Sequence, residues 1–194
     1  MWLLPAPAWA GRLNCSIGEL AQRHGANAFE PHLTICSGHG SADGADRART
    51  VEGLARSWRP VALRVDGLEC GPDYFTFLCL RLHHPPGLDL IGQALLALPG
   101  CHGPALGLHL SLLYADPTPG APGSAIDRGA LVQELASQLV QKGRDRGISF
   151  DRLALVQPGS GGWRHGWPWT IEATFPLVAQ PESNSWLFKP PGFR

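Results

Sequence analysis

The chain lacks most of the features that would assign it to a class at once. Its five cysteines (Cys15, Cys36, Cys70, Cys79 and Cys101) are odd in number and form no Cys-x-x-Cys pair. That spacing excludes zinc-finger and dithiol redox motifs. Most of these cysteines lie in apolar stretches and read as reduced core thiols. Charge of one sign is also missing: 16 Lys and Arg balance 16 Asp and Glu, and charged residues make up only 16% of the chain. Without a basic stripe, duplex nucleic acid is excluded as the main partner, although a few local donors suffice to hold one small anion. No apolar run approaches the ~20 residues of a membrane span. The apolar start, Met1 to Ala10, has no basic n-region and carries two prolines, so it does not read as a secretory leader. Gly159-Ser160-Gly161-Gly162 has no lysine of a phosphate loop, and Gly38-x-Gly40-x-x-x-Gly44 is not spaced as a dinucleotide fingerprint. His83-His84 has no partner at metal-ligand spacing. These absences predict a soluble cytoplasmic protein with no metal, no cofactor and no membrane or duplex partner, and nothing demands more than a monomer.

What is present is an interior. Hydrophobic residues are 44% of 194, enough for one domain or two small lobes around a shared core. Coarse patterning predicts strands at 2–6, 31–36, 61–65, 74–82, 106–114, 148–156 and 169–178. It predicts helices at 12–24, 46–57, 88–98 and from Asp127 to about Arg146. Both halves then run helix, strand, loop, helix, strand, strand, which reads as an internal duplication. The expected fold is α+β: two pseudo-symmetric lobes within residues 1–194, each an antiparallel sheet with helices on its outer face and a cleft between the sheets. One lobe centres on the 31–36 strand and the other on the 106–114 strand.

The duplication is sharpest in a short phrase that occurs twice. Phe29-Glu30-Pro31-His32-Leu33-Thr34-Ile35 is echoed by Gly107-Leu108-His109-Leu110-Ser111-Leu112-Leu113. Both read His-x-hydroxyl within an apolar run. Alternation along a strand projects His32 with Thr34, and His109 with Ser111, about 6–7 Å apart along each strand. If the copies face each other, two imidazoles and two hydroxyls converge on one small anion. Any one strand histidine is ordinarily a satisfied, partly buried residue, and a strand Thr or Ser ordinarily reflects β-propensity alone. Finding the pair twice, each time in an apolar strand after a helix, is what singles it out.

On these residues the chain resembles the 2H (two-histidine) phosphoesterase superfamily, and within it the plant- and yeast-type cyclic phosphodiesterases. The resemblance rests on Phe29-x-Pro31-His32-Leu33-Thr34 and on His109-Leu110-Ser111-Leu112-Leu113-Tyr114-x-Asp116. Trp2-Leu3-Leu4-Pro5 and Trp169-x-Ile171-x-x-x-Phe175-x-Leu177 are similar to that family's first and last strands. The chain departs from the pattern in three places. Leu108 stands where the family has Pro, Ala115 where it has Gly, and Pro117 to Gly123 reads as an insertion. The resemblance implies hydrolysis of ribose cyclic phosphates: nucleoside 2′,3′-cyclic phosphates to 2′-phosphates, and in relatives ADP-ribose 1″,2″-cyclic phosphate. It implies His109 as base and His32 as acid, by analogy only, with Thr34 and Ser111 donating to the non-bridging oxygens.

Several aromatic residues carry two readings each. Tyr114 falls on the face opposite His109 under strict alternation, as a core ring, or becomes a wall for base or ribose if the strand bends. Trp2 is a core residue or a stacking platform. Trp163 and Trp167, in the loop 157–167, are hydrophobic anchors or a lid that stacks on a nucleobase. His24, His39, His102 and His165 read as surface or loop residues, and the C-terminal Lys189-Pro190-Pro191-Gly192 as a loose tail. Two rival functions stand beside the cyclic phosphodiesterase. One is an RNA-end processor of the same superfamily, whose usual Arg-Pro and basic groove are missing here. The other is a module that binds cyclic phosphate without turnover.

Overall fold

The structure, a computed structural model, describes residues 1–38, 44–104, 107–140, 147–165 and 168–178. The described chain is mixed α+β. Ten strands are arranged as one eight-stranded sheet and one two-stranded ribbon.

The first elements show how local chemistry sets boundaries. β1 (Trp2–Pro5) ends at Pro5, and α1 (Pro7–His24) begins at Pro7. A proline in the first helical turn loses no hydrogen bond and has the helical φ already set. The helix therefore starts one and a half turns before residue 12, where the apolar stripe alone put it. Trp9, Leu13, Ile17 and Leu20 form its buried face, and Gly25 closes it with φ +62°. Next come β2 (Leu33–Thr34), β3 (Ser37–Gly38), α2 (Gly44–Ser57), β4 (Val61–Leu63) and β5 (Val65–Glu69). The expected strand at 74–82 divides into a 3₁₀ turn (Tyr74–Thr76) and β6 (Leu78–Leu82). α3 (Pro86–Leu96), β7 (Cys101–His102) and β8 (His109–Leu113) follow. The Asp127 carboxylate accepts from the Ala130 N–H at 3.0 Å and caps α4 (Arg128–Leu135). A π-helical turn continues to Val140, and residues 141–146 lie outside the described ones. β9 (Ile148–Gln157), a single turn α5 (Gly162–His165) and β10 (Thr170–Pro176) complete the order.

The sheet runs β10-β9-β1-β2-β8-β6-β5, antiparallel at every pairing. β4 pairs with β9, at the other end of this path from β5. One residue, Arg64, separates β4 from β5, so the two ends of the path are drawn together and the sheet is nearly closed. The motif strands do not belong to two sheets facing across a cleft. They are hydrogen-bonded neighbours in one sheet, with Leu33 opposite Leu110. β3 and β7 form a separate ribbon, with Ser37 opposite His102 and Gly38 opposite Cys101. Gly38 has φ +152°, and a Cβ there would collide with the Gly100 carbonyl, so only glycine lets this ribbon close.

The two faces of the sheet differ. Leu3, Leu33, Leu80 and Leu110 face the main core, with Leu13, Ile17 and Phe77, all at or near zero exposure. The other face carries a small apolar cluster of Trp2, Leu4 and Ala154, with Trp163 and Trp169 packed against it. The cysteines are all free thiols: Cys36 and Cys79 are buried, Cys70 and Cys101 half-buried, and Cys15 is exposed on α1, contrary to its reading as core. Among the described residues no helix is long and apolar enough to cross a membrane.

Candidate active site

The pair Leu33–Leu110 determines the geometry of the site. Counting out from it in an antiparallel ladder sets Thr34 opposite His109 and His32 opposite Ser111. All four side chains project from the face that Leu33 and Leu110 turn away from. They make a square with the histidines on one diagonal and the hydroxyls on the other. His32, Thr34, His109 and Ser111 all line one cavity of about 190 Å³.

Both imidazoles are held by the same local device. His32 Nδ1 lies 2.7 Å from the Glu30 carbonyl, and His109 Nδ1 lies 3.1 Å from the Gly107 carbonyl. In each copy the ring reaches back two residues to a main-chain acceptor. In the neutral ring Nδ1 then carries the proton and Nε2 the lone pair. Gly107, at φ +69°, supplies the turn that precedes β8.

The two histidines differ in burial. His32 is 7% exposed, whereas His109 is half-buried. Burial pushes the His32 pKa down to about 3; the Glu30 carbonyl opposes this, and the positive charge of His109 and of the Met1 amine adds to it. His32 is therefore neutral at neutral pH. The Trp2 indole stacks on its ring, with centroids 3.6 Å apart and planes 9° from parallel. Phe29 and Trp169 meet the same ring edge-on at 6.2 and 6.0 Å.

Tyr114 reaches the site because alternation in β8 is interrupted. Ser111 pairs with Cys79, but Leu113 pairs with Leu78, so one extra residue of β8 is taken up between them. Such a bulge reverses the facing of every later residue. Leu113 turns into the core, and Tyr114 comes round to the face of His109 and Ser111. Its hydroxyl lies 3.5 Å from His32 Nε2 and is hydrogen-bonded with Ser111; burial pushes its pKa up. Phe29 stacks on the Tyr114 ring at 3.9 Å. Ser111 Oγ donates to the Phe75 carbonyl at 2.6 Å, which fixes the 3₁₀ turn against the site. Thr34 lines the cavity beside His109.

Of the aromatic residues singled out in the sequence, Trp2, Tyr114 and Trp163 line the cavity, and Trp167 lies outside the described residues. Trp163 sits on α5, where Trp169 Nε1–H donates to its carbonyl at 2.9 Å. The next residue, Arg164, pairs with Asp116 and lies over the Tyr74 ring at 5.0 Å. Sequence reasoning did not assign Trp169, Phe75, Phe29 or Cys36 to the site. The likeness of Trp169-x-Ile171-x-x-x-Phe175 to the family's last strand was the available signal for Trp169. Phe75 was hidden by reading its 3₁₀ turn as strand. Burial, together with the Cys101 thiol to which Cys36 is hydrogen-bonded, pushes the Cys36 pKa up to about 12, so it sits in the wall as a protonated thiol.

Taken as chemistry, the square holds two titratable nitrogens on opposite corners and two hydroxyls on the others, within aromatic walls. It suits acid–base work on a small anion placed at its centre. Among the described residues no three His, Cys, Asp or Glu side chains are grouped to hold a metal. In comparisons with known proteins, no family model matches the chain and no curated protein is significantly similar to it.

Proposed function

We propose that this protein hydrolyses ribose cyclic phosphates by two-histidine acid–base catalysis, without a metal. The observation that carries the reading is the square itself: His32 and His109 on one diagonal, each with Nδ1 engaged by a carbonyl two residues back, which makes Nε2 the lone-pair nitrogen of the neutral ring. A cyclic phosphate at its centre meets one imidazole on either side, as in-line attack and departure require. One imidazole takes a proton from water as the water oxygen bonds to phosphorus. The P–O3′ bond breaks, and the other imidazolium protonates the leaving O3′ to release a 2′-phosphate. Thr34 donates to a non-bridging oxygen as charge builds, and Ser111 does so by turning its one O–H from the Phe75 carbonyl to the phosphate.

The unequal burial supports one order of the pair. A neutral ring is needed as base and a protonated one as acid. Burial favours the neutral form of His32, so we assign it as base and half-buried His109 as acid, the reverse of the family analogy. The anionic substrate raises the basicity of His32 once bound. Tyr114 and Trp163 form walls beside the ribose. The enclosed volume is below the ~300–1,000 Å³ of drug-sized sites, so phosphate and ribose occupy it and the base lies at the mouth. On this reading the chain is a single domain of two related halves, acting as a cytoplasmic monomer on a small-molecule substrate.

The test is turnover of a panel of 2′,3′-cyclic mononucleotides and ADP-ribose 1″,2″-cyclic phosphate in EDTA, with product analysis. A 2′-phosphate product, lost in His32→Ala and His109→Ala, is the expected result. Activity confined to oligoribonucleotides would replace the reading with RNA-end processing. Binding without product would replace it with a non-catalytic module. Full activity of His109→Ala would end the two-histidine mechanism.

A further inference from the structure

Trp2 and His32 form the closest ring stack in the site, at 3.6 Å and 9°. The register explains it. Trp2 pairs with Thr34 across β1 and β2, so its side chain shares the site face and lies diagonal to His32. The rest of the indole is covered as well. Trp169 meets it edge-on at 5.5 Å and 71°, Trp163 lies at 6.1 Å and 45°, and Trp2 is 3% exposed. A platform for a nucleobase needs an open face. Here one face is taken by imidazole, and two further indoles close over the remainder.

We propose that Trp2 is a positioning residue: its indole holds the His32 ring in the plane that aims Nε2 into the cavity, and it does not receive the substrate's base. The Glu30 carbonyl holds Nδ1 at 2.7 Å and the Tyr114 hydroxyl lies a longer 3.5 Å from Nε2, so each touches a single edge atom of the ring. Rotation about χ2 of a histidine is otherwise broad, and a flat surface against the ring removes that freedom. The same contact has an electrostatic side, since the indole face attracts an imidazolium. The other groups around His32 do not supply this. His109 and the Met1 amine repel a proton on it, and the Tyr114 hydroxyl and Cys36 thiol in the shared cavity are uncharged. Only the catalytic consequence rests on the two-histidine reading; the ring-holding does not.

The test is histidine side-chain NMR of the full chain, free of ligand, with Trp2→Phe and Trp2→Leu and with steady-state kinetics on a 2′,3′-cyclic nucleotide. The His32 ring protons should be shifted strongly upfield by the indole in the wild type, largely so in Trp2→Phe, and at ordinary positions in Trp2→Leu. kcat should fall roughly 10²-fold in Trp2→Leu, the scale of a misplaced catalytic group, with KM little changed, and Trp2→Phe should recover most of it. Ordinary His32 shifts in the wild type overturn the proposal whether or not any variant folds. A raised KM in Trp2→Leu with unmoved His32 resonances overturns it in favour of a substrate platform. If the wild type hydrolyses no cyclic phosphate, the two-histidine reading fails, and the NMR arm still decides the ring-holding.

Discussion

The buried His32 makes acid stability a direct probe of the site. In the unfolded chain an imidazole titrates near 6.5; in the folded site burial lowers this to about 3. Between those values the unfolded state binds a proton that the native state excludes. Stability therefore falls as pH drops from about 6.5 toward 3, and the contribution is intact above that window. Each pH unit inside it costs about 1.4 kcal/mol. From pH 7 to pH 5 the loss from this one residue is about 2 kcal/mol, and it approaches about 5 kcal/mol at the bottom of the window. Urea unfolding of the wild type and of His32→Gln at pH 7, 6 and 5 isolates the term, because the glutamine does not titrate. The wild type should lose about 2 kcal/mol more than the variant between pH 7 and 5. Parallel pH dependences would show that His32 titrates as in water, and the burial-based assignment of it as base would fall with them.

Three further predictions follow from the same geometry. With a phosphodiester whose leaving group is a weakly basic phenoxide, His109→Ala should lose far less than the 10²–10⁴-fold expected on a ribose leaving group. His32→Ala should lose as much on both substrates; the opposite pattern would restore the family analogy. The acid limb of kcat/KM should lie below pH 4, at the depressed His32 value, and a limb centred near 6.5 would contradict the burial of that ring. Gly38→Ala should destabilise the protein by more than about 1 kcal/mol, because the new Cβ meets the Gly100 carbonyl at positive φ; an unchanged melting temperature would show that the β3–β7 ribbon does not form.

The site was more legible in the sequence than the sheet that carries it. His32 and Thr34 fall together on one face, as do His109 and Ser111, because alternation is a property of one strand and needs no knowledge of its neighbours. The partner of each strand is not such a property. Nothing in Leu33 or Leu110 says that they pair, so one continuous sheet looks like two from the sequence. The bulge at β8 belongs to the same class. It exists only in the match between Leu113 and Leu78, and it turned Tyr114 from an ambiguous ring into a wall of the cavity. Pro7 is the contrary case, a local helix-start signal that stands in the sequence five residues before the apolar stripe at 12–24 from which the helix is expected.

Duplication of a motif presents a chemical difficulty that the fold resolves. Two copies of His-x-hydroxyl, each ring pinned at Nδ1 by a carbonyl two residues back, would by themselves have equal proton affinities, whereas acid–base catalysis needs one ring protonated and one not. The difference comes from what surrounds each copy. β2 lies between β1 and β8, so His32 is covered by Trp2 from one neighbour and by Tyr114 from the other. His109 sits at the start of β8, just after the Gly107 turn, and keeps contact with solvent. The aromatic walls around His32 hold its imidazole neutral, the form that the proposed reaction needs in its base. That neutrality follows from strand order: the motif flanked by Trp2 on one neighbouring strand and Tyr114 beyond the other carries the neutral imidazole.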